Sequence, residues 1–360
     1  MNDTRSVITV VGSGQMGSAM SYPARDNGHE LRLVGTPLDR EIINEAARTG
    51  MHKNLKRRLP EGIKYYQIED LGKALNGADL LIGGVSSFGV DWFIETVMPI
   101  IPESLPVLSI TKGMQNSPDG ELIPYPWLYH TKAGNKKISF NAVGGPCTSY
   151  ELADRDHTEV CFCGDDIEEL RKIKSWLETS YYHISLSTDV MGVECAVALK
   201  NAYALGVSLA VGLCERSEGV GGKLHYNSQA ALFAQSVKEM RRILALSGGL
   251  DENIIFGAGD LYVTIFGGRT RLIGTLLGRG LSIEKAMEEL EGVTLESIVI
   301  AKRTAAAIKI MIARDRAKAQ DFPLLLHIDE IISNGAPVNV PWEKFESETI
   351  NNPAASQEQR

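Results

Sequence analysis

The sequence predicts an α/β domain built on a doubly wound, mostly parallel sheet, followed by an all-α domain. Three observations carry this. Up to about residue 188, short apolar runs rich in β-branched residues alternate with helical stretches. The first of those runs, Val7 to Val11, opens straight into a glycine turn. Beyond Asp189 the apolar segments lengthen and their period becomes helical throughout. The expected organisation is a first domain over 1–188, a second over 189–345 and a polar tail over 346–360. Two domains also suit 360 residues at ~150 residues each.

Val7, Ile8, Val10 and Val11 have the composition of a strand buried on both faces. The turn Gly12-Ser13-Gly14-Gln15-Met16-Gly17 is spaced G-x-G-x-x-G. A strand, a tight turn and a helix leave free backbone N–H groups at a helix N-terminus, and glycine lets a pyrophosphate come close. These residues are the candidate phosphate site of a Rossmann-like dinucleotide-binding domain. The alternative is a glycine-rich turn of some other α/β protein. The next helix is expected to reach about Asn27, kinked by Pro23. Glu30 to Val34 reads as the second strand, ending at Gly35-Thr36. The residue at that point meets the adenosine ribose; an acid favours NAD, and a small or basic residue admits the phosphate of NADP. Thr36 stands there with Asp39 and Arg40 just beyond, which leaves both cofactors open with a lean to NAD.

Asp39 to Thr49 reads as a helix, and Met51 to Glu61 as a basic loop whose plain reading is a solvated charge run. Leu71 to Asn76 suits a helix and Ala78 to Val85 a third buried strand. Ser86-Ser87-Phe88 follows at that strand's carboxyl end, where α/β sheets place ligands, so Ser86 and Phe88 join the cofactor candidates. Phe88 to Pro99 reads as a helix. Val107 to Ile110 is a fourth strand leading to Lys112, and Ile138 to Val143 a fifth leading to Gly144-Gly145-Pro146. Glu159 to Phe162 and His183 to Leu186 suit further strands. Helical periodicity then covers Val190–Gly212, Asn227–Ser247, Thr270–Leu277, Ile283–Leu290 and Leu295–Ile312.

The net charge of −8 disfavours a general nucleic-acid binder. Five cysteines without a C-x-x-C, and no signal peptide, point to a reducing cytoplasm. Val193 to Leu213 is nearly long enough to span a bilayer, but Glu194, Lys200 and Asn201 make it a buried helix rather than a membrane span. The seven histidines are scattered and none pairs at ligand spacing, so no metal is expected.

Lys200, in the middle of that apolar helix, must be paired or carry a depressed pKa. A lysine so poised suits general acid/base work on a carbonyl/alcohol pair; the alternative is snorkelling from a helix edge. Asp260, after Gly257 and Gly259, is either a helix N-cap or the carboxylate that holds Lys200. Arg269, in Gly267-Gly268-Arg269-Thr270-Arg271, sits near a helix start, which suits a phosphate; the alternative is a surface arginine.

Taken in order, these pieces resemble NAD(P)-dependent sn-glycerol-3-phosphate dehydrogenases, from about Val7 to Ile312. The resemblance includes the glycine turn, Val85-Ser86-Ser87, Ile110-Thr111-Lys112-Gly113, and Gly145-Pro146 with Glu151. It continues through Gly192-Val193-Glu194, Leu199-Lys200-Asn201, Asn227 to Ala231, Glu239-Met240, Gly259-Asp260-Leu261 with Thr264, and Gly268-Arg269. It implies a dinucleotide-binding domain and a helical domain with the active site between them. It places the catalytic lysine at Lys200, a second lysine beside nicotinamide and substrate at Lys112, and the supporting carboxylate at Asp260. Asn201, Thr264 and Arg269 fall on substrate-holding positions, and Thr270 stands where the family usually has asparagine. Ala196-Val197 replaces a usual glycine pair, Ser86 a usual proline, and the loop Cys214 to Tyr226 is longer than usual. The implied reaction is hydride transfer between sn-glycerol 3-phosphate and dihydroxyacetone phosphate with NAD or NADP, in a cytoplasmic homodimer acting on a small phosphorylated substrate. The alternatives are the same chemistry on another polyol or hydroxy-acid phosphate, and a non-catalytic dinucleotide sensor.

Overall fold

The computed structural model describes residues 5–293 and 295–346. The expected polar tail lies, from 347 onward, outside the described residues. Eight strands form one sheet: β1 (Val7–Val11), β2 (Glu30–Val34), β3 (Lys64–Tyr66), β4 (Leu80–Gly83), β5 (Val107–Ser109), β6 (Phe140–Gly144), β7 (Thr158–Cys163) and β8 (Tyr182–Ser187). Their spatial order is β8-β7-β6-β5-β4-β1-β2-β3. Every pair is parallel except β6 with β7. The winding reverses between β1 and β4, and ligands settle in the crevice beyond the strand ends at such a point. Strands β1, β4 and β5 are almost wholly buried, as their continuous apolar runs require.

The glycine turn closes by backbone-to-backbone packing. A Cβ on Gly17 would lie 2.0 Å from the Gly12 oxygen, and one on Gly12, at φ +104°, 2.5 Å from the Gly84 oxygen. The helix expected to reach Asn27 is two segments, Gln15–Ala19 and Ser21–Asp26, divided at Met20. Pro23 has no N–H for the Ala19 carbonyl, and the helix breaks where that bond is missing. The basic loop is structured: Met51–His52 pairs with Arg57–Arg58 as a small hairpin. His52 Nδ1 accepts from Leu55 N–H at 2.9 Å, so Nε2 carries the proton and donates to the Ser13 carbonyl at 2.8 Å. The hairpin therefore braces the glycine turn. Two of its charges are in surface pairs, Arg57 with Asp154 at 2.6 Å and Lys53 with Glu41 at 3.6 Å.

The second core is helical: α1 (Val190–Glu218), α2 (Tyr226–Leu246), α3 (Ile254–Ile265), α4 (Gly268–Arg279), α5 (Ile283–Glu289), α6 (Glu296–Ala313) and α7 (Pro323–Asn334). Helix α1 is long and apolar enough to cross a membrane, yet 83% of its most apolar window is buried within the protein, so it is the core of this half. Helix α4 lies against it at backbone distance. A Cβ on Gly278 would meet the Leu209 oxygen at 2.3 Å, and one on Gly274 the Leu205 oxygen at 2.6 Å. Room for Ala196 and Val197 is supplied by their neighbours. Gly257 of α3 faces Ala196, and Gly144 at the end of β6 faces Val197. Glu239 on α2 is buried and accepts from Tyr203 Oη, Gln235 Nε2 and the N–H groups of Leu324 and Leu325, which caps α7.

Candidate active site

A cleft of ≈ 610 Å3 opens between the carboxyl ends of the sheet strands and helices α1, α3, α4 and α6. Lys200, Lys112 and Asp260 meet on its wall. Lys200 Nζ donates to Asp260 Oδ1 at 2.6 Å. Lys112, on the loop after β5, pairs with Asp260 Oδ2 and donates to the Gly145 carbonyl at 2.7 Å. Asp260 is 1% exposed, and the two lysine side chains are 14% and 19% exposed. Asp260 is thus not an N-cap. It lies inside α3, because Gly257 and Gly259 stay helical under packing against Ala196 and Pro146. Two lysines thus share one carboxylate on this wall, with Glu296 and Glu151 also lining the cleft. Burial lowers the pKa of Lys200 and the neighbouring Lys112 lowers it further, while Asp260 opposes both.

Asn201, Thr264, Arg269 and Thr270 line the same cleft. The Thr264 hydroxyl donates to the Asp260 carbonyl at 2.7 Å, so only its lone pairs face a ligand. Thr270 Oγ1 lies 3.5 Å from Asn201 Oδ1. Arg269 is exposed in the first turn of α4, whose N–H groups lack intrahelical partners. Cys147 also lines the cleft, and burial pushes its thiol up to about 12, so it stays protonated despite the lysines.

The cofactor candidates group around the end of β1. Met16 and Ser86 reach the cleft. A Cβ on Gly14 would meet nothing within 4 Å, so the turn is open on that side. Ser13 Oγ is buried without a hydrogen-bond partner among the described residues. An open turn and an unsatisfied buried hydroxyl fit an anionic group held there. Thr36 is fixed by Asp39, whose Oδ2 accepts from Thr36 N–H at 3.0 Å, Thr36 Oγ1 at 2.9 Å and Ser13 N–H at 3.2 Å. Phe88 projects from the turn Ser87–Gly89 at 57% exposure and, like Gly12, Gly14 and Thr36, lies beyond the cleft lining.

Sequence reasoning missed Glu296. The first residue of α6, it accepts from Ser87 N–H at 3.3 Å and Ser87 Oγ at 3.0 Å, joining the two halves at the cleft. Only its position as an acid opening a helix signalled it. Tyr150, Tyr262 and Phe266 were also missed; all line the cleft, and all three are at least half exposed.

A model of the N-terminal part of NAD-dependent glycerol-3-phosphate dehydrogenases matches residues 7–169, and one of their C-terminal part matches 189–343. The NADP(+)-dependent glycerol-3-phosphate dehydrogenase of Archaeoglobus fulgidus is 33% identical over 288 residues, 79% of this chain and 84% of that one. A glycerol-3-phosphate dehydrogenase [NAD(P)+] of Lactobacillus delbrueckii is 27% identical over 91% of this chain and 93% of its own. In fold, the Plasmodium falciparum glycerol-3-phosphate dehydrogenase superposes with a TM-score of 0.81 at 21% identity, over 97% of this chain and 98% of that one.

Proposed function

This chain belongs to the NAD-dependent glycerol-3-phosphate dehydrogenase family, and from that membership we propose the roles of its cleft residues. It is an oxidoreductase acting on a CH–OH group, interconverting sn-glycerol 3-phosphate and dihydroxyacetone phosphate with NAD or NADP. The observation that carries the chemistry is the pair of lysines on the Asp260 carboxylate. When bound, the nicotinamide supplies the hydride to the ketone carbon. Lys200 gives its proton to the substrate oxygen as negative charge develops there, and takes it back in the oxidative direction. Burial, by lowering its pKa, brings that proton within easier reach at neutral pH. Lys112 adds positive charge beside the same oxygen. Asp260 orients both ammonium groups and keeps Lys200 charged between turnovers.

Arg269 and the first-turn N–H groups of α4 hold the substrate phosphate, with Asn201, Thr264 and Thr270 around it. Gripping that remote group fixes the reacting carbon against Lys200. The glycine turn, with Ser13 and Ser86, holds the pyrophosphate. The Asp39 carboxylate beside Thr36 supports NAD over NADP, since it repels a 2′-phosphate. Exposed Ile255, Leu250 and Leu272 on the helical half support a homodimer. Five free thiols support a reducing, cytoplasmic setting. A sensor has no use for the buried lysine pair. The direct test is oxidation of NADH and NADPH by the purified protein with dihydroxyacetone phosphate, beside other ketose and keto-acid phosphates. Turnover with dihydroxyacetone phosphate is expected. Turnover only with another phosphate would show that Thr270 has re-specified the cleft.

A further inference from the structure

The long loop from Cys214 to Tyr226 gathers three groups of different chemistry away from the cleft. Cys214 and Glu218 stand four residues apart on the last turns of α1, so they share a face. The helix stops at Glu218. Gly219 and Gly221, at φ +90° and +78°, reverse the chain, a conformation side-chain-bearing residues rarely adopt. The reversal returns His225, the residue before α2, to Glu218, and its Nε2 pairs with that carboxylate. Cys214 Sγ, a Glu218 carboxylate oxygen and a His225 ring nitrogen all lie within 4.8 Å of one another. Cys214 is 4% exposed, and its sulfur sits 2.6 Å from the Lys223 carbonyl oxygen, so the loop wraps it closely.

We propose that Cys214, Glu218 and His225 form a binding site for a divalent transition metal of the zinc class. Thiolate, imidazole and carboxylate are the donors that Zn2+ takes, and three protein ligands leave a fourth position for water. The thiol excludes Mg2+ and Ca2+, which take oxygen donors. On binding, the Cys214 thiol releases its proton to solvent and its sulfur lone pair forms the bond to the metal. The His225–Glu218 ion pair and the hydrogen bond from Cys214 Sγ to the Lys223 carbonyl hold the three donors at one point, and metal binding replaces that S–H···O contact with a sulfur–metal bond. The metal joins the end of α1, the helix that carries Lys200 and Asn201, to the start of α2. None of the three ligands lines the cleft. The site escaped the sequence reading because the ligands come from both ends of a loop and include a single histidine. The expectation of no metal rests on histidine spacing alone, which a three-donor set with one histidine does not display.

The test is titration of the reduced, chelator-stripped full chain with Co2+, followed by Zn2+ competition. One equivalent of Co2+ is expected to bind with a thiolate-to-cobalt charge-transfer band that Zn2+ bleaches. Cys214→Ser removes the band, His225→Gln weakens binding at least tenfold, and Cys147→Ser leaves both intact. Zn2+ raises the Tm of the wild type and not of Cys214→Ser. No band at excess Co2+, or a band that survives Cys214→Ser, overturns the proposal. If Cys214→Ser folds poorly, the Glu218→Gln/His225→Gln double variant decides: a lost band supports the site, and a retained band contradicts it. Dihydroxyacetone phosphate turnover by Cys214→Ser, His225→Gln and the Glu218→Gln/His225→Gln double variant stays at the wild-type level, which separates this site from the cleft.

Discussion

Asp260 holds two lysines at once, and that arrangement governs how Lys200 titrates. Asp260 is the group that raises the Lys200 pKa against burial and against Lys112. Asp260→Asn therefore lets the Lys200 pKa fall further. Oxidation of sn-glycerol 3-phosphate needs the neutral amine, so its activity rises through that pKa and the rising limb of the pH profile moves to lower pH in Asp260→Asn. Its kcat also drops by ~10²-fold or more, because the amine is no longer oriented. Initial rates across the pH range check both. Lys200 was legible in the sequence because a cation in an apolar helix demands an explanation. The role of Asp260 stayed divided between cap and counter-ion. Two glycines before it read as a break, and only packing against Ala196 and Pro146 shows why they continue the helix. Asp39→Asn is a second residue-scale test: NADPH use rises relative to NADH in kcat/KM, as a negative charge beside the ribose position is removed.

At the scale of elements, two close backbone contacts build the site. Gly17→Ala places a Cβ 2.0 Å from the Gly12 oxygen, which opens the turn. Cofactor affinity, read by fluorescence titration, is expected to fall at least tenfold while the helical half keeps its structure. Gly278→Val pushes α4 off α1 at the Leu209 carbonyl, 2.3 Å from where the Cβ would stand. It is expected to cost ~3 kcal/mol or more in urea unfolding. Most buried strands could be read from composition alone, since parallel strands are continuous apolar runs. Strand β3 could not: Lys64-Tyr65-Tyr66 is a short edge strand with too few residues to show a period. Helix α3 was masked by its glycines, and α7 by Pro323, which reads as a breaker but sits here at a helix start, where proline is tolerated.

In the whole molecule, a β-rich core and a helical core meet at one cleft, and the chemistry lies where they meet. The two cores were legible because the period of the apolar pattern changes once, near Asp189. The cross-cleft bond of Ser87 with Glu296 was not, because it joins residues 209 apart. A buried carboxyl beneath the cleft adds a pH dependence to stability. Glu194 is fully buried, neither oxygen has a hydrogen-bond partner among the described residues, and burial pushes its pKa from 4.5 up to about 8. Protonation is favoured in the folded state, so this contribution is fully present below about pH 4.5 and is lost as pH rises toward 8. Urea unfolding at pH 6 and pH 9 is expected to show wild-type stability falling by a few kcal/mol (on the order of 1.4 per pKa unit), with a much smaller fall in Glu194→Gln. The central claim, that Lys200 moves the proton in a dehydrogenase cleft, rests most directly on one comparison. Dihydroxyacetone-phosphate-dependent NADH oxidation is measured for the wild type and Lys200→Ala, alongside NADH binding. A loss of turnover of ~10²–10⁴-fold with NADH affinity unchanged is the expected result. Turnover within a few-fold of the wild type would contradict it.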